Sequence, residues 1–142
     1  MPKRFRVFID TSALIAGLNS PTGGAGAILA ACFAKAVIPV ISPQVIEEME
    51  NNIPVKFPKL APAWAGFLLL PPEITRAPSL VAVRKAHKIL PTSDAAILAS
   101  ALVAKPDALV TWNTRHFQRK EVIKTATFPI LVPGEFLRKF FP

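Results

Sequence analysis

An α/β fold with a parallel central sheet is predicted by three observations on this chain. Short apolar runs, Phe5-Arg6-Val7-Phe8-Ile9, Val37-Ile38-Pro39-Val40-Ile41, Ala108-Leu109-Val110-Thr111 and Phe128-Pro129-Ile130-Leu131-Val132, alternate with stretches of helical character, and that alternation builds parallel strands covered by helices on both faces. The length of 142 residues suits a single domain spanning 1–142 with one sizeable core. An apolar content of 51% and a mean hydropathy of +0.40 suit a filled α/β interior, with fifteen prolines as punctuation. The expected architecture is a three-layer α/β/α sandwich around four or five parallel strands.

The elements follow in order. After the first strand, Thr11 to Leu18 reads as a short helix and Asn19 to Gly24 as a loop. A second helix from about Ala25 to Ala36 leads into the strand at Val37 to Ile41. Ser42 is a good N-cap with Pro43 in the first helical position, opening a helix that carries Val45, Ile46, Glu47, Glu48, Met49 and Ile53. The prolines at 54, 58, 62, 71, 72 and 78 exclude a long element there, leaving a short helix near Ala61 to Phe67 and a strand at Leu68-Leu69-Leu70. Leu80 to Leu90 reads as a basic helix stopped by Pro91. Thr92 or Ser93 then caps a helix from Asp94 to Val103 whose nearly all-round apolar surface implies burial. Ala108 to Thr111 is a buried-type strand, Phe128 to Val132 the last one, and Gly134 to Phe141 a short amphipathic helix.

The longest apolar stretch, Leu60 to Pro72, is broken by prolines and too short to span a bilayer, and the N-terminus lacks a signal-peptide pattern, so no membrane association and a cytoplasmic location are expected. Cys32, the one cysteine, reads as a small buried hydrophobe. Seventeen Lys and Arg against nine Asp and Glu give a net charge of +8. Such a balance favours a polyanionic partner, because each cation placed on a phosphate releases condensed counterions.

In so basic a chain the placement of acid carries information. Asp10 ends the first strand, at the edge where open α/β sheets bind ligands, and Thr11 or Ser12 could cap the next helix without leaving a carboxylate there. Glu48 lies closer than Glu47 to the apolar face formed by Val45, Ile46, Met49 and Ile53. Asp94 falls in the first turn of a buried helix, where it also complements the helix dipole. In a parallel sheet the three can face one crevice, and a hard cation such as Mg²⁺ or Mn²⁺ is often held by a few carboxylates, with water and substrate phosphate completing its shell. Thr111 and Asn113 stand at another strand tip, with Arg115, Arg119, Lys120 and Lys124 adding charge beyond it and Trp112 and His116 able to stack on bases.

The order of these motifs resembles the PIN-domain nucleases, in particular the bacterial and archaeal members classed as toxins of toxin–antitoxin pairs. The resemblance rests on Val7-Phe8-Ile9-Asp10-Thr11-Ser12-Ala13-Leu14, on Ile41-Ser42-Pro43 leading to Glu48, on Ser93-Asp94-Ala95-Ala96-Ile97-Leu98-Ala99-Ser100-Ala101, on Leu109 through Phe117, and on the ending Ile130 through Leu137. It implies Mg²⁺- or Mn²⁺-dependent hydrolysis of RNA phosphodiesters, with Asp10, Glu48 and Asp94 at the family's three acidic positions and Asn113 where many members place a fourth acid. It further implies Thr11, Ser12 and Thr111 as hydroxyls that orient the acids or touch the phosphate, Arg115 and His116 beside the substrate, a homodimer, and an antitoxin lying across the site. Asn113 weakens a second metal site.

A haloacid-dehalogenase-like phosphatase also places Asp after its first strand but needs another Asp two positions on, where this chain has Ser12. A P-loop fails because the glycines at 23, 24 and 26 lead into no Gly-Lys-Ser/Thr. A non-catalytic PIN domain that binds RNA or protein is the rival from another class.

Overall fold

The computed structural model describes residues 4–142. Its centre is a five-stranded sheet of β1 (Phe5–Ile9), β2 (Val37–Ile41), β3 (Glu73–Ile74), β4 (Ala108–Val110) and β5 (Ile130–Leu131), ordered β3-β2-β1-β4-β5 with every neighbouring pair parallel. The helices are α1 (Thr11–Asn19), α2 (Gly24–Phe33), α3 (Pro43–Lys56), α4 (Ala61–Leu68), α5 (Leu80–His87), α6 (Thr92–Ala104), α7 (Thr114–Phe117), α8 (Lys120–Thr125) and α9 (Pro133–Phe140), with a 3₁₀ turn at Pro58–Leu60. Packing of α2 against β2 and α9, and of α9 against β4 and β5, makes one layer, while α6 packs on α3 and α5 to make the other. The three-layer α/β/α expectation is met.

Parallel strands covered on both sides must be apolar throughout. Val7, Phe8, Ile9, Val40, Ile41, Leu109 and Val110 are accordingly buried, and α6 sinks Ala95, Ile97, Leu98, Ala99 and Ala101 into the same core. Cys32 is buried there too, and burial pushes its thiol up to about 12, which suits a packing residue and not a nucleophile. In α9, Phe136 and Phe140 stack at 4.8 Å and Phe140 meets Phe5 edge-on at 4.9 Å, while Arg138 and Lys139 stand in the last turn. No helix among the described residues is long and apolar enough to cross a membrane.

The chain leaves β1 toward β2 and β3, then returns to the other side of β1 to lay down β4 and β5. The direction of winding therefore reverses between β1 and β4, and the crevice outside the carboxyl ends of two such strands is where open α/β sheets take ligands. Ile9 pairs with Val110, so the residues that follow each, Asp10 and Thr111, emerge side by side.

The structure departs from the sequence reading at several boundaries. Leu68–Leu70 is not a strand. The Leu69 N–H bonds back to Ala65 and Gly66 and the Leu70 N–H to Phe67, so helical turns consume the donors a ladder would need. The sheet edge passes instead to Glu73–Ile74, where Arg6 grips Glu73 Oε2 at 2.7 and 3.0 Å. Pro54 does not stop α3 but lies within its last turn. α2 ends at Phe33, short of Ala36, because Lys35 turns left-handed at φ 64° and the Ala36 N–H folds back to the Ala31 carbonyl. Neither Thr92 nor Ser93 caps α6: Thr92 is already helical, and the Pro91 carbonyl accepts from the Ala95 N–H at 2.7 Å.

Gly26 marks a close approach of backbones. A Cβ there would stand 2.4 Å from both the Ser20 and Pro21 carbonyl oxygens, so the α1–α2 loop could not keep its path. Gly26→Ala is expected to destabilise the fold by about 1–3 kcal/mol, seen as a lower urea midpoint at unchanged slope; an unshifted midpoint would show that the loop yields freely.

Candidate active site

β1 carries Asp10 to the switch point between β1 and β4, and the Asp10 N–H extends the ladder by one bond to the Val110 carbonyl at 3.2 Å. Asp10 is only 3% exposed. Oδ1 accepts from the Ala13 N–H at 3.0 Å and the Ser12 hydroxyl at 2.7 Å, and Oδ2 accepts from the Thr111 hydroxyl at 2.5 Å. Asp10 is therefore itself the N-cap of α1, a role that Thr11 or Ser12 could also have filled. Capping does not account for the residue, because a neutral Ser or Asn caps a helix as well without desolvating a charge. Burial pushes the Asp10 carboxyl up from 3.8 to about 6; the hydrogen bonds from Thr111, Ala13 and Ser12 pull it down, and the negative charge of Asp94 pushes it up.

The hydroxyls expected to orient the acids have different partners. Ser12 binds Asp10 and accepts the Trp112 N–H at 3.0 Å. Thr111 donates to Asp10 and accepts the Asn113 N–H at 2.8 Å. Thr11 turns away from Asp10 and donates to Glu48 Oε1 at 2.6 Å. Of the two adjacent glutamates, then, Glu48 faces α1 and Glu47 is exposed. Gln44, one turn earlier on α3, steadies the other Glu48 oxygen at 3.2 Å. Sequence reading passed over Gln44, although its spacing of four residues from Glu48 on a helix was the available clue.

Asp94 stands in the first turn of α6 and accepts from His116 Nδ1 at 2.5 Å and from Asn113 Nδ2 at 3.4 Å. The short helix α7, unexpected from the sequence, is what brings His116 back to Asp94, and the wholly buried Phe117 pins it. Arg115, on the same helix, is exposed. Among the described residues no three Asp, Glu, His or Cys side chains already form a metal cage. Asp10 and Asp94 are close enough for the charge of Asp94 to act on Asp10, while Glu48 is held by Thr11 and Gln44.

A family model for the PIN domain matches residues 6–115. The chain belongs to the PIN-domain family. Among solved structures this PIN domain is similar to VapBC2 from Rickettsia felis, determined bound to a DNA fragment from their promoter, at 18% identity and a TM-score of 0.65 over 89% of this chain and 96% of that one. It is also similar to PAE2754 from Pyrobaculum aerophilum, at 17% identity and a TM-score of 0.57 over 96% of this chain and 97% of that one. No curated protein matches it significantly. Two apolar cavities of the PIN domain, about 350 Å³ between α5 and α6 and about 330 Å³ among α1, α2 and α4, are lined by none of the acids.

Proposed function

We propose that this PIN domain is an endoribonuclease that hydrolyses RNA phosphodiester bonds with Mg²⁺ or Mn²⁺, and that it acts in the cytoplasm as the toxin of a toxin–antitoxin pair. The observation that carries the reading is the buried Asp10 carboxylate, fixed by three hydrogen bonds at the β1–β4 switch point and loaded by the charge of Asp94. Burying a carboxylate beside another costs free energy while it is ionised, and a bound cation would offset that cost.

The residues fit a hard divalent cation. The donors are all oxygen, and a few carboxylates leave room for the water and phosphate ligands such ions keep. Asp10 and Asp94 would hold the ion, with Glu48 approaching from α3 and Asn113 offering a neutral oxygen. A bound divalent cation offsets phosphate charge and makes water a nucleophile near neutral pH. The chain's own residues do the rest. Ser12, Thr111 and the Ala13 N–H hold the Asp10 carboxylate in one orientation, Thr11 and Gln44 do so for Glu48, and His116 for Asp94. Arg115 and the other exposed cations of the β4–β5 connection draw the polyanion to the crevice.

The resemblance to VapBC2 supports an antitoxin partner, and we propose a homodimer as the form that meets it. Incubating labelled RNA with the purified protein in Mg²⁺ or Mn²⁺, and in parallel with EDTA, tests the activity. Fragments are expected only with the metal. RNA that is bound equally with EDTA and never cut would leave the domain a non-catalytic binder.

A further inference from the structure

Trp112 is 51% exposed, an unusual state for an indole, whereas the other tryptophan, Trp64, is buried, stacked on Phe67 and hydrogen-bonded to Glu50. The backbone beneath Trp112 is held firmly. Its own N–H bonds to Ser12 Oγ, Thr111 before it bonds to Asp10, and Asn113 after it reaches Asp94. An exposed aromatic ring thus stands on a segment clamped at both ends to the proposed metal ligands, with the exposed Arg115 three residues further on. His116, the other ring offered for stacking by the sequence, is engaged with Asp94 and so leaves Trp112 alone in that role.

Resting on the nuclease reading, we infer that Trp112 is a stacking platform for one unpaired nucleobase adjacent to the phosphate at Asp10 and Asp94. A base inside a duplex has both faces covered by its neighbours, so a flat ring at this position selects single-stranded or looped RNA. Because every base has a π face, the platform confers strandedness preference with little sequence preference. Arg115 supplies the cation for the flanking phosphate.

The test separates binding from chemistry by working in EDTA. An eight-nucleotide oligouridylate is titrated while tryptophan fluorescence and its acrylamide quenching are followed; buried Trp64 contributes a constant background. Oligouridylate is expected to change the emission and shield Trp112 from acrylamide. Trp112→Ala should bind it about tenfold more weakly, equivalent to about 1.4 kcal/mol, while binding a blunt RNA duplex as the parent does. Trp112→Phe should recover most of the loss, and circular dichroism should report an unchanged fold for both variants. Equal affinity of Trp112→Ala and parent for oligouridylate, equal losses on single strand and duplex, or full acrylamide access in the saturated complex would each overturn the platform. Metal-dependent cleavage with any of those results leaves the nuclease reading in place and removes only the platform; shielding of Trp112 without cleavage does the reverse. A parent protein that binds no RNA in EDTA and cuts none with Mg²⁺ or Mn²⁺ overturns both.

Discussion

Asp10→Asn is expected to lower metal-dependent RNA cleavage by about 10³-fold or more and, at the same time, to stabilise the metal-free protein at pH 7. The first effect follows from the proposed site, in which Asp10 would hold a cation whose electrostatic contribution is worth several kcal/mol in the transition state. The second follows from the cost of the charge. Asp10 has its carboxyl pushed from 3.8 to about 6 by burial, so the folded protein holds this proton more tightly than the unfolded chain does. The stability from that proton is present in full below about pH 4. It is lost as pH rises to about 6 and stays lost above, a total of about 3 kcal/mol.

Asparagine keeps the Oδ1 acceptor for Ser12 and Ala13 and carries no charge to desolvate. The difference in melting temperature between Asp10→Asn and the parent, without metal, should therefore widen from pH 4.5 to pH 7. Mn²⁺ at pH 7 should raise the parent's melting temperature and leave the variant's unchanged. Full cleavage by a folded Asp10→Asn protein would sink the proposed site, and a pH-independent stability difference would show that burial does not strain this carboxylate.

Phe8→Ala should be the most damaging single core substitution proposed for this fold, at about 3–5 kcal/mol. Phe8 is wholly buried on the middle strand, in register with Val40 on one side and Leu109 on the other. Truncation there leaves a cavity between layers that cannot close without moving two neighbouring strands. Because Asp10 follows two residues later, looseness at Phe8 also reaches the site. Urea unfolding should show a strongly lowered midpoint at unchanged slope, with a fall in melting temperature of roughly 10–20 °C. A loss below 1 kcal/mol would mean that β1 is not packed as the central strand.

Much of the fold was legible because its information is local. Strand β1, the Ser42-Pro43 start of α3 and the buried α6 are each written in a dozen consecutive residues, through apolar runs, capping chemistry and helical spacing. The segment Leu68 to Ile74 was misread because three leucines suit a helix end as well as a strand. Only competition for the same N–H groups decides between them. The short helix α7 was missed for a related reason: four residues are too few for periodicity to show.

The sequence by itself determined that a scarce acid closes the first strand, that two others begin or ride on helices, and that the chain carrying them is strongly basic. Tertiary structure alone decided who holds whom. Asp10 and Thr111 are 101 residues apart, Thr11 and Glu48 are 37 apart, and His116 and Asp94 are 22 apart. Those pairings depend on β4 lying beside β1 in a particular register, and on α3 packing against both α1 and α6. The pattern of apolar residues says which face of an element is buried but not which other element buries it. Whether Asp10 is a plain helix cap or a strained, desolvated carboxylate therefore rests on its neighbours in space.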